Sequence, residues 1–131
     1  MAIDGLVTLR SAHDFKTTLD RLLQALKVKG VTVFAQIDHA AGAAGAGLTL
    51  RPTTLVVFGN PVAGTPLMQA AQTAGIDLPL KALVWQDAEG AVHLSYNDPA
   101  WIAGRHGAGA LAAVGAMATA LKALARHATG A

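Results

Sequence analysis

No cysteine occurs anywhere in the 131 residues. That absence removes disulfides, thiol nucleophiles, thiolate zinc sites and iron–sulfur clusters, and it suits a reducing compartment. Charge is scarce as well. Asp, Glu, Lys and Arg make up 14% of the chain, against roughly 25% in an average globular domain. Ten basic residues stand against eight acidic ones, with no basic run. The chain therefore has no stripe with which to displace counterions from a nucleic-acid backbone, and no nucleic-acid partner is expected. Nor does any uninterrupted apolar stretch approach the ~20 residues of a membrane span. The alanine-rich segment near the C-terminus carries Lys122 and Arg126 and reads as a helix of a soluble domain. The opening residues Met1-Ala2-Ile3-Asp4-Gly5 lack the basic-then-apolar pattern of a secretory signal. These features lead to the expectation of a cytoplasmic protein that does not enter the membrane.

What is present in quantity is small and apolar: hydrophobic residues reach 53%, much of it alanine. The length suits one domain with a real core, and a surface this poor in charge favours self-association. Leu6 to Leu9 reads as a short strand. Ser11 is then placed to cap a helix, with Asp14 three residues on. Ala12, Phe15, Leu19, Leu22, Leu23 and Leu26 form its apolar face, and Gly30 ends it. Val31 to Asp38 alternates, which puts Val31, Val33, Ala35 and Ile37 on one face and leaves Phe34 oddly on the polar one. Ala40 to Gly47 is a loose helix or a loop. Thr53 to Phe58 ends in a continuous apolar run, as in a central strand covered on both faces. Thr65-Pro66 and Asp98-Pro99 each combine a cap with proline at a first helical position. Between them, Leu80–Gln86 and Ala91–Tyr96 form a hairpin around Asp87-Ala88-Glu89-Gly90. The order predicts an α+β two-layer sandwich, a mixed and mostly antiparallel sheet with helices packed on it. Residues 1–107 form the core domain, and an alanine-rich helix over 108–131 packs on it or on a dimer partner.

Candidate chemistry gathers at element ends. Asp38 and His39 close a strand, and a histidine near a carboxylate is a tunable base. Adjacent strand residues point apart, however, so a polar strand end is the competing reading. None of the five histidines has a helical i, i+4 partner, so no metal or cofactor is assigned. Arg105-His106-Gly107 matches the opening tripeptide of the histidine phosphatases but lacks its strand context, which leaves a polar helix terminus with His106 as a candidate base. Polar residues also precede prolines at Arg51-Pro52, Asn60-Pro61 and Asp98-Pro99. Such residues satisfy turns and caps. They also line a ligand cleft where elements end on one side of a sheet, and Asn60, after the apolar strand, is the best placed.

The ordered pattern from Asp38 through Arg51-Pro52, the apolar strand, Asn60-Pro61 and Leu78-Pro79 to Asp98-Pro99 resembles the bacterial and archaeal family called domain of unknown function 302. Leu50-Arg51-Pro52-Thr53 to Phe58-Gly59-Asn60-Pro61 is its most specific piece, and the resemblance covers roughly residues 4–107. It implies a small α+β sandwich, usually a homodimer, and no established activity. Many relatives carry cysteine where this chain has Gly59, so a thiol role does not transfer.

The resulting expectation is a homodimeric module that holds a small polar or anionic ligand through Asn60, Arg51, Asp38, His39 and Asp98. Arg51 would supply a fork of donors for a carboxylate or phosphate. One alternative is an enzyme with His39 or His106 as general base. The other is an interaction or scaffold domain that works through the last helix or through Phe34 and Trp101.

Overall fold

In the computed structural model, which describes residues 2–131, the chain runs β1 (Leu6–Arg10), α1 (Phe15–Val28), β2 (Thr32–Asp38), α2 (His39–Gly45), β3 (Thr53–Gly59), α3 (Pro61–Ala70), a 3-10 turn (Gln72–Ile76), β4 (Leu80–Gln86), β5 (Val92–Asn97), α4 (Pro99–Arg105) and α5 (Ala112–Thr129). The strands form one sheet in the order β1-β5-β4-β3-β2. Every pairing is antiparallel, so the expected mixed sheet is wholly antiparallel. The reason is topological. β1 and β2 lie on opposite edges, and α1 crosses between them without making them neighbours.

Helices cover one face. Leu22 and Leu26 of α1 and Leu121, Leu124, Ala125 and Ala128 of α5 close over Val56, Phe58, Val84 and Leu94. Alanine on α5 lets it sit close to the sheet and α1. The Arg21 guanidinium donates to the His127 carbonyl at 3.0 and 2.7 Å, satisfying a carbonyl in the last turn of α5. A smaller cluster of Leu67, Ala74, Ile102, Ala103 and Val114 joins α3, the 3-10 turn, α4 and α5.

Several local expectations shift. Asp14, not Ser11, caps α1, accepting from the Thr17 N–H at 2.8 Å. Ser11 instead bonds the buried Thr18 hydroxyl at 2.6 Å. α3 starts at Pro61 with Asn60 as its cap, so Pro66 lies inside the helix rather than opening it.

The largest correction is a β-bulge in β2. Val33 pairs with Phe58, but Ala35, Gln36 and Ile37 pair with Val57, Val56 and Leu55. The extra residue reverses the alternation. Ala35 and Ile37 turn to the bare face, and Phe34 is freed to lean over the end of β3. β3 is accordingly covered on one face only. Thr54, Val56 and Phe58 are buried, and Leu55 and Val57 are half-exposed.

Candidate functional site

At the end of β3 the chain turns at Gly59-Asn60-Pro61 into α3. The Phe34 ring lies over that corner: a Cβ built on Gly59 would meet Phe34 Cε2 and Pro79 Cβ at 3.5 Å each. Between this corner, α3 and α5 lies a cavity of about 300 Å³ whose walls include Phe34, Asn60, Thr65, Met68, Leu78 and Met117. Its walls are otherwise glycine, alanine, proline and leucine, with no ionisable side chain. The volume is at the lower end of small-molecule sites. Two methionines give it walls that repack around differently shaped occupants. Asn60 Oδ1 accepts from the Val62 N–H at 2.9 Å as the helix cap. This leaves the side-chain amide N–H groups free of the cap, on a residue that lines the cavity.

The remaining sequence candidates do not join Asn60. Arg51 stands before the other end of β3, its Nε donating to the Gln86 carbonyl at 3.3 Å. Seven residues of strand separate the two positions, about 23 Å. Asp38 is at the Arg51 end, since it pairs with Thr54. It caps α2 by accepting from the Ala41 N–H at 2.8 Å, and His39 follows it exposed to solvent. Asp98 lies at the Asn60 end but beyond β4. There it caps α4, accepting from the Ala100 N–H at 2.9 Å. The expected single hollow of Arg51, Asn60 and a histidine is therefore absent, because β3 holds its two flanking corners apart. Asp38, Asn60 and Asp98 all do the turn chemistry that competes with ligand contact.

His106 has partners that sequence reasoning missed. Its Nε2 lies 2.6 Å from Asp77 Oδ2, and its Nδ1 lies 2.8 Å from the Thr73 hydroxyl. Arg105 Nη1 donates to both Asp77 oxygens at 2.9 Å. The hydrogen bond from His106, together with the Arg105 charge, holds the Asp77 carboxyl below its ordinary value. An ionised carboxylate only accepts, so Nε2 carries a proton and donates to Asp77, and in the neutral ring Nδ1 accepts from the Thr73 hydroxyl. Asp77 stands 29 residues from His106, and no local pattern announces the pair. A second couple lies on the bare sheet face. His93 bonds Asp87 at 2.8 Å and stacks on Trp85 at 4.4 Å between ring centres. The bond from His93 likewise lowers the Asp87 carboxyl. Among the described residues, no group of three His, Asp or Glu side chains is arranged to hold a metal ion.

Comparison with known proteins accounts for the architecture. The family model described as Domain of unknown function DUF302 matches residues 7–126, a span that runs through most of α5. The chain superposes on the crystal structure of an uncharacterized conserved DUF302 protein from Bacillus stearothermophilus with a TM-score of 0.85. That match covers 96% of this chain and 99% of the other at 21% identity, a likeness of fold. Two curated relatives, from Brucella suis biovar 1 and Brucella abortus biovar 1, are each named Fluoride-specific ion channel FluC 1 and are 47% identical over 128 residues. The match takes in 96% of this chain but 50% and 47% of those proteins, so the chain spans about half their length. Among the described residues, no helix is long and apolar enough to cross a membrane.

Proposed function

This chain belongs to the family described as Domain of unknown function DUF302, and from that premise we propose that it is a cytoplasmic homodimeric module that binds a small, largely apolar ligand. The observation that carries the reading is the cavity beside Phe34, where two flexible methionines, the Asn60 amide and the Thr65 hydroxyl line a space with no charged group. The expectation of an anionic ligand gives way here, because Arg51 lies at the far end of β3. A ligand with an apolar body and one acceptor, such as an alcohol or a carbonyl, fits the Asn60 amide. The test is a thermal shift series with hexan-1-ol, octan-1-ol, acetate and phosphate. Octan-1-ol should raise the melting temperature, in proportion to the logarithm of its concentration once saturating, while the anions should not. Stabilisation by phosphate alone would reverse the reading. Asn60→Asp keeps the capping oxygen and removes the amide, so it should weaken octan-1-ol binding with little loss of stability.

The dimer reading rests on the bare face of the sheet. Leu6 and Ile37 are 37% and 43% exposed there, beside half-exposed Leu55, Val57, Leu83 and Trp85. Three polar side chains at the middle of this face satisfy one another. The Trp85 indole N–H donates to Ser95 Oγ at 2.9 Å, and Ser95 Oγ lies 2.8 Å from the Thr8 hydroxyl. An apolar centre of Leu6, Leu55 and Leu83 set beside Lys81 and Asn97 suits a second copy packed sheet to sheet. Sedimentation equilibrium should give a dimer, and Leu55→Lys should give a monomer; a monomeric parent protein at micromolar concentration would end this reading. For the Brucella relatives, we propose that channel activity resides in the half this chain does not match, with the matched half acting as a ligand-sensing attachment. Fluoride should therefore leave the melting temperature of this chain unchanged.

A further inference from the structure

We propose that Thr73 is a nucleophilic hydroxyl, activated by His106 and Asp77, that takes an acyl group from an activated carboxylic ester. This goes beyond the binding reading and rests on the same cavity only for its choice of acyl chain. The three side chains lie in line: hydroxyl, imidazole, carboxylate, with 2.8 Å and 2.6 Å between successive partners. Both distances are within the range at which a base takes a proton from a nucleophile and a third group orients the base. In the neutral ring the polarity is the required one, since an Nε2 proton held by Asp77 leaves the Nδ1 lone pair toward Thr73. Arg105 grips both oxygens of Asp77, fixing the carboxylate as an anion able to stabilise the imidazolium that forms.

Exposure follows the same order. His106 and Asp77 are buried to 8% and 15% exposure, whereas Thr73 is exposed to solvent. The base thus lies behind the nucleophile, and the nucleophile faces outward. Gly75 and Leu78, which flank this cluster in the chain, line the apolar cavity. An apolar acyl chain is therefore the substrate class at hand.

In the step, Thr73 Oγ1 forms a bond to the ester carbonyl carbon and the bond from that carbon to the leaving oxygen breaks. The hydroxyl proton passes to His106 Nδ1 and from there to the departing oxygen. Water, deprotonated by the same nitrogen, then releases the acid and restores Thr73. No electrons are exchanged and no co-reactant beyond water is needed.

The experiment uses the full chain with p-nitrophenyl acetate and p-nitrophenyl hexanoate. It follows p-nitrophenolate release, intact mass and the acylated peptide. The expected result is one acyl group per chain on Thr73, formed at least about 100-fold faster than any acylation of Thr73→Ala, as befits general-base assistance. Thr73→Ser should restore the adduct, which a merely structural hydroxyl would not predict, and Asp77→Asn should slow it about tenfold or more. Acylation of a lysine or histidine in place of Thr73, or equal rates for the parent chain and Thr73→Ala, overturns the proposal. Octan-1-ol binding without any acylation would sustain the cavity reading while ending this one. Acylation of Thr73 without octan-1-ol binding would do the reverse.

Discussion

Replacing Gly59 by alanine should stabilise the protein, although Gly59 is the final residue of a strand paired on both sides. Its φ is not in the left-handed region, so alanine can adopt the native backbone. The new Cβ would lie 3.5 Å from Phe34 Cε2 and 3.5 Å from Pro79 Cβ, ordinary van der Waals contacts with nothing closer. Restricting the unfolded chain contributes about 0.4–1 kcal/mol. Covering the methyl adds a fraction of the ~0.8 kcal/mol of a fully buried methylene. The sum is about 1 kcal/mol, or roughly 3–5 °C in melting temperature for a domain of this size. Urea titration should show a higher midpoint at unchanged slope. A loss of more than about 0.5 kcal/mol would refute the reasoning, because it would mean that the Phe34–Pro79 corner cannot accept a methyl. The same substitution places an atom in the wall of the cavity, so octan-1-ol affinity should fall as stability rises. Stabilisation with unchanged affinity would separate Gly59 from the ligand site.

Other substitutions test other links. Leu26→Ala empties a position with 0% exposure under the sheet and should cost about 2–5 kcal/mol by urea titration. Gly5→Ala would set a Cβ 2.3 Å from the Trp101 ring at a φ of +77°. It should cost about 1–3 kcal/mol and displace Trp101, read as a change in its fluorescence. Asp77→Asn tests linkage. The Asp77 carboxyl titrates below its ordinary 3.8 in the folded state, so its contribution is fully present above that value and is lost as pH falls through the lowered one. The variant should be less stable at neutral pH and lose stability less steeply in acid, measured as melting temperature against pH. A parallel displacement of the two curves would exclude the linkage.

The fold was legible where local rules and burial agree. The α1 face of Leu19, Leu22 and Leu26, the hairpin of β4 and β5, and the Asp98-Pro99 helix start lie where periodicity, turn length and capping put them. Two boundaries slipped because two good caps compete within a few residues. Asp14 displaced Ser11 because the helix starts one turn later, with Ser11 tied to Thr18. Asn60-Pro61 outranked Thr65-Pro66, since Pro66 lies in the second turn of a helix already begun. The sheet order depends on contacts among distant residues. α1 alone does not say whether its flanking strands become neighbours or opposite edges, and here they are the edges.

The candidate site was half legible, and the two halves fail for different reasons. Asn60 lines the cavity because the end of an inner strand is where a sheet opens to helices, and that much follows from its position after an apolar run. Phe34 was visible only as a misfit: a large apolar residue on the polar side of an alternating strand. Its meaning required the bulge, and a bulge depends on which partner residue β2 skips, a fact held by β3 rather than by β2. Once the register changes at Phe34, one inserted residue does two things together. It swings an aromatic ring over the Asn60 corner to roof a cavity, and it turns Ile37 outward to enlarge the bare face proposed for the second copy. Deleting Phe34 would remove the inserted residue while Val33 stays opposite Phe58 and Ala35 opposite Val57, so Ala35 and Ile37 keep the bare face and the cavity alone loses its aromatic wall. Loss of octan-1-ol binding in that deletion variant, with the dimer kept in sedimentation and the fold kept by circular dichroism, is the outcome this register requires. Loss of the dimer together with octan-1-ol binding would show that Phe34 itself supports the bare face.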